Sequence, residues 1–572
     1  MTSVLDRPED FAATALAGFC AAHADRVLPV PHGAIRATAS APGKVALVVG
    51  GGSGHYPAFL GYVGAGLADA AVAGDVFASP STSAIAGVAR AAEAGGGVIL
   101  GFGNYAGDVL NFGAAAERLR AEGIPARILA VTDDVASAAA DDRARRRGVA
   151  GDLLVFKIAG AAAEAGLDLD AVMEAALRAN RATVSFGLAF DGCTLPGHVA
   201  PLFTVDPGQV AQGLGIHGEP GIRTQSLVPA ADLARMLLDP LLAERPAGHD
   251  GRVAVVLNGL GRTAAEELFV LWHHLTGLFA EHGLTPVAPE LGEFVTSLDM
   301  EGCSLSILWL DDQLETLWRA PADSPAFRRG SVTEGARRAA TTETVQAAAV
   351  AQGSEAARAA APCMAEAIAE LARALAEAED ELGRIDAIAG DGDHGQGMAR
   401  GSAAAAEAAR LALSDGAGAG TVLALAGDAW ADRAGGTSGA LWGVALRAWG
   451  QVLGDRQAPD AARIAQGARA GLTAVTQLGG AAPGDKTLVD AFAPFVETLE
   501  RTAAHAPLPQ AWADAARVAT EAAEATASLS PRLGRARPLA ERSFGHPDAG
   551  AVSLALCARV VGQMLARRGP PD

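Results

Sequence analysis

Cysteine is scarce in this chain of 572 residues, and what there is forms no pattern: Cys20, Cys193, Cys303, Cys363 and Cys557 are odd in number, widely spaced and without a C-x-x-C pair. That excludes a disulfide framework and predicts buried, reduced thiols of the kind found in cytosolic proteins. Aromatic residues are few, at 5%. Basic residues are outnumbered 45 to 65, which leaves a formal net charge of −20. Such a balance disfavours nucleic acid and anionic membranes as partners. It does not disfavour a phosphorylated substrate, because a bound metal supplies positive charge locally. No charge-free run reaches membrane-spanning length. The start, "MTSVLDRPEDF", places acids early and has no apolar core, so no secretory signal is expected. These absences together lead us to expect a soluble, cytoplasmic protein. Also missing is a phosphate loop of the Walker type, since the glycines of "VVGGGSGHYP" run into His55 and Tyr56 rather than Lys and Ser or Thr.

What is present is small and apolar. Half the residues are apolar and 69 are glycine, a composition suited to close-packed helices and α/β units, and the length points to two or three domains. In the first half "KVALVVGGG", "GGVILGFGN", "ARILAVTDD" and "RVAVVLNGLG" read as buried strands that break into Gly, Asn or Asp loops. Loops of that sort lie at strand carboxyl ends, where open α/β sheets hold their ligands. Helical stretches such as "TSAIAGVARAAEAG" and "GAAAERLRAEG" alternate with them. This predicts an α/β domain over 1–325, divided into two α/β subdomains near 185–195. A stretch of mixed Pro, Gly, Ser, Thr and charge reads as a linker over 326–356. Beyond it strand signals vanish, and "CMAEAIAELARALAEAEDELGRIDAIAG" and "AWADAARVATEAAEATASL" show helical periodicity, predicting an all-α domain over 357–572.

The densest chemistry in the helical half is "DAIAGDGDHG". Asp386, Asp391 and Asp393 fall in a glycine-interrupted turn after a helix, where three carboxylates can converge on one hard cation. The spacing is not that of an EF-hand, and a solvated acidic turn is the alternative reading. "RAGGTSGALWG" offers small residues and hydroxyls at a helix start, suited to cradling phosphate. "GGAAPGDKTLVDAF" adds Asp485, Lys486 and Thr487 after a Pro-Gly turn.

Together with "GNYAGDVLNF", "RRGVAGDLLVFKIAGAAAE", "GLGIHGEPG", "NGLGRT", "TSLDMEGCS" and "ERSFGHPDAGA", these motifs run in order along nearly the whole chain. The chain resembles the ATP-dependent dihydroxyacetone kinase family, in which a ketose-binding α/β domain precedes a helical-barrel domain that binds nucleotide. The resemblance implies that His217 adds to the substrate ketone to form a hemiaminal, so that ketoses are chosen over glycerol. It implies that Asp108 takes the proton of the attacking hydroxyl and that His55 bonds the hemiaminal oxygen. Gly52 and Ser53 then shape the pocket beside Tyr56 and Gly103. In the helical domain it assigns Asp386, Asp391 and Asp393 to Mg2+ on the ATP phosphates, and His394, Gly436, Thr437, Ser438 and Asp485 to the nucleotide. It further implies a homodimer.

Three departures bear on substrate and nucleotide. Tyr56 stands where the family loop has Glu, with Phe59 after it, and Gly103 stands where the family has Lys. "GHYPAF" with "GNYAGD" is similar to members that phosphorylate erythrulose, which points to erythrulose, D-erythrulose foremost, beside dihydroxyacetone. Arg537, Pro538 and Ala540 replace Ser, Tyr and Gly in a loop expected near the nucleotide. The alternatives are a strict dihydroxyacetone kinase, a relay fed by a phosphocarrier, and a non-catalytic ketose sensor; the intact aspartates speak against the last.

Overall fold

Apolar runs that end in glycine build the first sheet of the structure, a computed structural model that describes residues 4–332, 335–338, 350, 352–390, 392–533 and 540–568. Its strands are β1 (Val27–Val30), β2 (Gly33–Arg36), β3 (Ala46–Ser53), β4 (Ala70–Val76), β5 (Val98–Gly103) and β6 (Ala126–Val131), in the order β1-β2-β4-β3-β5-β6. The pairs β4–β3, β3–β5 and β5–β6 are parallel, and the outer pairs are antiparallel. Both faces of β3 are covered, which is why its sequence is continuously apolar rather than alternating. Ala46 and Val48 join one core with residues of α2 (Thr82–Ala92) and α3 (Ala106–Ala121). Leu47 and Val49 face the opposite way, into a core shared with α4 (Gly151–Glu164) and α5 (Leu169–Ala182).

A second sheet follows, with β7 (Thr183–Ala189), β8 (Gln209–Gln212), β9 (Arg223–Ser226), β10 (Arg252–Gly259), β11 (Thr285–Pro286), β12 (Glu290–Gly292) and β13 (Gly302–Trp309). The order is β11-β10-β13-β7-β8-β9, with β12 also on β10. The chain passes between sheets at the α5–β7 junction, Ala182–Thr183, slightly before the expected 185–195. Helices α6 (Ala230–Leu242) and α7 (Ala265–Glu281) cover one face. The other face packs on α4, which also touches β3 and β5 of the first sheet. Every residue of α4 from Gly151 to Ala163 is buried, as a helix apolar all round must be. Its N-terminus therefore opens where the strand ends of both sheets meet.

One buried polar cluster braces the first sheet. Asp69, 1% exposed, accepts from the Lys44 ammonium at 2.6 Å, from Arg36 at 3.2 Å and from the Leu47 N–H at 2.9 Å. Burial pushes its carboxyl up, but the Lys44 and Arg36 cations outweigh burial and hold it below the ordinary value.

Residues Met1–Thr341 form one compact unit and Thr342–Asp572 a second. In the first, Ala322–Asp323 pairs with Arg328–Arg329, and Arg337 bridges to Thr38. Of the stretch expected to be a linker, 333–334, 339–349 and 351 lie outside the described residues. Helix α8 (Asp312–Arg319) closes the α/β unit. Among its described residues the second unit has helices and loops without strands: α9 (Glu355–Glu377), α10 (Glu379–Asp386), α11 (His394–Ser414), α12 (Ala419–Ala434), α13 (Gly436–Leu453), α14 (Ala461–Gly479), α15 (Val489–Ala503), α16 (Leu508–Ala525), α17 (Ala540–Ser543) and α18 (Ala549–Arg568). Neighbours pack in sequence, and α18 returns to α9, α15 and α16. Among the described residues α18 alone is long and apolar enough to cross a membrane, and most of it is buried here in the helical core. Inside lies an apolar cavity of about 130 Å3, lined by Ile368, Leu441, Trp449, Phe492, Trp512 and Leu554 among others.

Removing the Asp69 carboxylate leaves two buried cations, Lys44 and Arg36, with Glu164 as their one remaining counter-ion, a loss of about 3 kcal/mol. Asp69→Ala should therefore move the first urea unfolding transition of the full chain to markedly lower denaturant. A variant that unfolds with the wild type would show that the cluster does not brace the sheet.

Candidate active site

The glycine loop after β3 is tight because other backbone crosses it. A Cβ on Gly52 would stand 2.8 Å from the Ala78 nitrogen, and Gly54 turns the chain at φ +100°. Ser53 donates to the Gly74 carbonyl at 2.6 Å and is thereby tied to β4. The turn delivers His55 into the interior, 4% exposed. Its Nδ1 lies 2.8 Å from the Thr296 carbonyl, and its ring stacks on Phe77 with centroids 4.9 Å apart. A carbonyl only accepts, so Nδ1 carries hydrogen and Nε2 presents a lone pair. Thr296 is held in place by Asn258, fully buried on β10, whose amide bonds the backbone of Phe294 and Val295.

His217 arrives from the second sheet, on the loop between β8 and β9. Its Nε2 lies 3.0 Å from His55 Nε2, and its Nδ1 lies 3.1 Å from Glu219. Glu219 also accepts the His217 backbone N–H at 3.0 Å. Gly215 is needed for this closure, because a Cβ there would stand 2.0 Å from the Glu219 carboxylate. Arg147 faces Glu219 at 3.8 Å and is itself held by Asp134 at 2.7 Å. Burial pushes Glu219 up, yet His217 and Arg147 outweigh it and hold it far below the usual carboxylate range. Burial, then the His217 charge, pushes His55 down to about 3. With the His55 hydrogen on Nδ1, the hydrogen between the two Nε2 atoms is donated by His217. Phe77 and Tyr105 enclose the His217 ring, each with centroids at 4.9 Å.

Asp108 sits in the first turn of α3, 9% exposed, and its Oδ1 has no hydrogen-bond partner. Burial pushes it up to about 7, against the Ser79 hydroxyl and His217, which pull it down. A carboxylate poised there is suited to take a proton at neutral pH. Gly103 ends β5, where a Cβ would meet the Gly148 carbonyl at 3.1 Å and Asp152 at 3.3 Å. Tyr56 is 47% exposed, with its ring edge-on to Phe19 and over Gly61 rather than on the histidine rings. The structure thus joins His55 and His217 directly and sets Asp108 in their field, with Gly52, Ser53 and Gly103 as walls. Sequence reasoning assigned nothing to Glu219, Arg147, Tyr105, Asp152 or Thr296. All five stand inside the motifs that were legible.

In the helical unit Asp386 ends α10 and accepts the Gly392 N–H at 2.9 Å. Asp393 precedes α11, and burial followed by repulsion from Asp386 raises its carboxyl. Asp391 lies outside the described residues, as do Arg537 and Pro538. His394, 9% exposed, bonds Ser553 of α18 at 3.0 Å and Ser438 of α13 at 3.3 Å. Three helix N-termini therefore face one place. At the start of α13 no side chain caps the free N–H groups beside Gly436, Thr437 and Ser438, an arrangement that favours an anion. Asp485 is engaged by its own turn, accepting from the Ala482 N–H at 2.8 Å, and lies near Arg532. Asp548 is pushed up to about 6 by burial, with the Asp490 and Asp386 charges adding to the rise. Crowded carboxylate oxygens of this kind suit a hard divalent cation, although among the described residues no three metal-ligating side chains converge.

Two family models match this chain, the Dak1 domain over residues 17–326 and the DAK2 domain over residues 388–563. Curated relatives include a D-erythrulose kinase of Mycolicibacterium smegmatis, 56% identical across 98% of both chains. An L-erythrulose kinase of Pectobacterium atrosepticum is 55% identical across 99% of this chain and 97% of its own. Among solved structures, the dihydroxyacetone kinase from C. freundii in complex with AMP-PNP and Mg2+ is 29% identical with a TM-score of 0.52, covering 99% of this chain and all of its own.

A base with the Asp108 value loses its negative charge as pH falls through about 7. kcat/KM with the acceptor substrate should therefore drop about tenfold per pH unit below that point. A profile from pH 5.5 to 9 that stays flat on its acid side would exclude Asp108 as the base.

Proposed function

The chain belongs to the dihydroxyacetone kinase family, and we propose that within it this protein is an ATP-dependent erythrulose kinase, with D-erythrulose as the foremost substrate and dihydroxyacetone as the shorter alternative. The observation that carries the reading is the facing pair of imidazoles, because an addition to a carbonyl needs a nitrogen lone pair and a proton delivered to oxygen. The proton between the rings first passes to His55 Nε2, which frees the His217 Nε2 lone pair to form the bond to the ketone carbon. The carbonyl π pair moves onto oxygen and takes that proton from His55, and a hemiaminal hydroxyl results, bonded to His55 Nε2. The alkylated ring keeps its positive charge, which Glu219 balances at 3.1 Å from Nδ1. Glycerol has no carbonyl and cannot be held in this way.

The captured ketose then presents a terminal hydroxyl to Asp108. Its oxygen attacks the γ-phosphorus of ATP, its proton passes to the carboxylate, and the bond from that phosphorus to the ADP oxygen breaks. Positioning and charge neutralisation supply most of the rate in such transfers. Asp386, Asp391 and Asp393 would hold Mg2+, which screens the triphosphate when bound. His394, Ser438, Thr437 and Gly436 would receive phosphate at the start of α13. Asp485 lies in the neighbouring loop. On family resemblance the same reading takes 1–325 as the ketose domain and 357–572 as the nucleotide domain of a cytoplasmic homodimer.

A kinetic panel tests this with D-erythrulose, L-erythrulose, dihydroxyacetone and glycerol, each with ATP. Erythrulose should be used at least as efficiently as dihydroxyacetone, glycerol should not turn over, and His217→Ala should lose all ketose turnover. A wild type that prefers dihydroxyacetone by about tenfold or more, a gap of about 1.4 kcal/mol, would return the protein to the strict dihydroxyacetone reading.

Asp393→Asn should lower turnover by about a hundredfold or more while ketose capture survives, since the carbonyl trap lies wholly in the α/β unit. Calorimetry of ketose binding without nucleotide separates the two. An equal loss of ketose affinity would contradict this division of labour.

A further inference from the structure

Three buried oxygens without hydrogen-bond partners belong to neighbouring residues: Oδ1 of Asp108 and the hydroxyl of Tyr105, both beside His217, and Oδ1 of Asp152, whose carboxyl lies in the field of the other two. Leaving such groups unmet costs about 1–3 kcal/mol each, so their gathering at one place calls for a ligand that satisfies them. Asp152 is 2% exposed, in the first turn of α4, the helix that both sheets bury. Burial first, then Asp133 and Asp108, oppose its ionisation, and its own charge adds to the rise that burial imposes on Tyr62 and Tyr105. Repulsion of that kind favours a neutral carboxyl, which donates as well as accepts. Gly103 leaves the space beside it open, since even one methyl there would approach Asp152 to 3.3 Å. The Tyr105 ring stands edge-on to His217, and its oxygen lies in the field of Glu219, Arg147, Asp134 and Asp152.

We propose that Asp152, assisted by the Tyr105 hydroxyl, is the specificity-determining residue that reads the hydroxyls a four-carbon ketose carries beyond the one that accepts phosphate. The count agrees with the chemistry. Once the carbonyl is taken by His217 and His55, erythrulose retains three hydroxyls and dihydroxyacetone two. Asp108 receives one in either case. The four-carbon ketose supplies partners for both remaining oxygens, whereas the three-carbon ketose leaves one unmet. A site built to bond a hydroxyl discriminates strongly against a ligand that lacks it. This assignment rests on the erythrulose kinase reading above.

The test compares kcat/KM for erythrulose and dihydroxyacetone in the wild type, Asp152→Ala, Asp152→Asn and Tyr105→Phe. Asp152→Ala should lose about tenfold or more on erythrulose beyond whatever it loses on dihydroxyacetone, chiefly in KM. Asp152→Asn keeps the shape and a neutral hydrogen-bonding group and should restore most of the preference. Tyr105→Phe deletes one oxygen while the ring stays in place, and it carries the same comparison should Asp152→Ala fail to fold. Parallel losses on both ketoses in the soluble variants, or an unchanged ratio, would overturn the assignment while leaving the kinase reading intact. A wild type that does not phosphorylate erythrulose at all would overturn both.

Discussion

Two imidazole nitrogens 3.0 Å apart can hold only one proton between them, and much of the α/β unit exists to keep that arrangement. The pair needs both outer nitrogens committed. Thr296 takes one and Glu219 the other. Thr296 depends on Asn258 at the end of β10, and Glu219 depends on Arg147, which depends on Asp134 after β6. The histidines themselves come from loops of different sheets, so their separation is set by how those sheets dock on α4. The fully buried surface of α4 is thus a ruler for the chemistry as much as a core.

The charge of the site is handled in a graded way. Glu219 is kept ionised by a partnered cation, His55 is kept neutral by burial, and Asp108 is lifted toward neutrality by burial with a hydroxyl and an imidazole pulling back. Three groups of ordinary chemistry are thereby spread over distinct ranges, the arrangement by which one site can hold an acid, a base and a counter-ion at once. The helical unit solves a different problem with different means. There helix N-termini and crowded carboxylates gather at one place, a field that favours an anion and a hard cation together.

Much of this was legible in the sequence. The strands β3, β5, β6 and β10 lie where apolar runs ended in glycine or aspartate, because strands buried on both faces have no polar alternation to blur them. The helical half was legible from its periodicity. His217, His55 and Asp108 stood out through their motifs, and the structure brings them to one place. What sequence could not supply were orientations set by distant backbone. Tyr56 follows His55 directly, yet its ring turns to Phe19. Glu219 was within two residues of His217, but its role depends on Gly215 having no side chain and on Arg147 arriving from another element. Asp152 drew no notice because an acid in the first turn of a helix is ordinary, and only burial without a partner makes it unusual. The loop holding Arg537 and Pro538 and the acid Asp391 lie outside the described residues.

The seating of His55 on one sheet and His217 on the other has a thermodynamic side. On the proposed capture, a ligand bound covalently to the second and hydrogen-bonded to the first becomes a strap across the two layers, anchored at both ends. Local opening that parts the layers must then release the ketose before it can proceed. Substrate and cohesion are linked in the sense that whatever binds only the assembled pair also raises the cost of taking it apart, by about 2.7 kcal/mol at a hundredfold excess over Kd. In a cell rich in its sugar the enzyme would be a sturdier object, slower to open and slower to be degraded, than the same chain in famine.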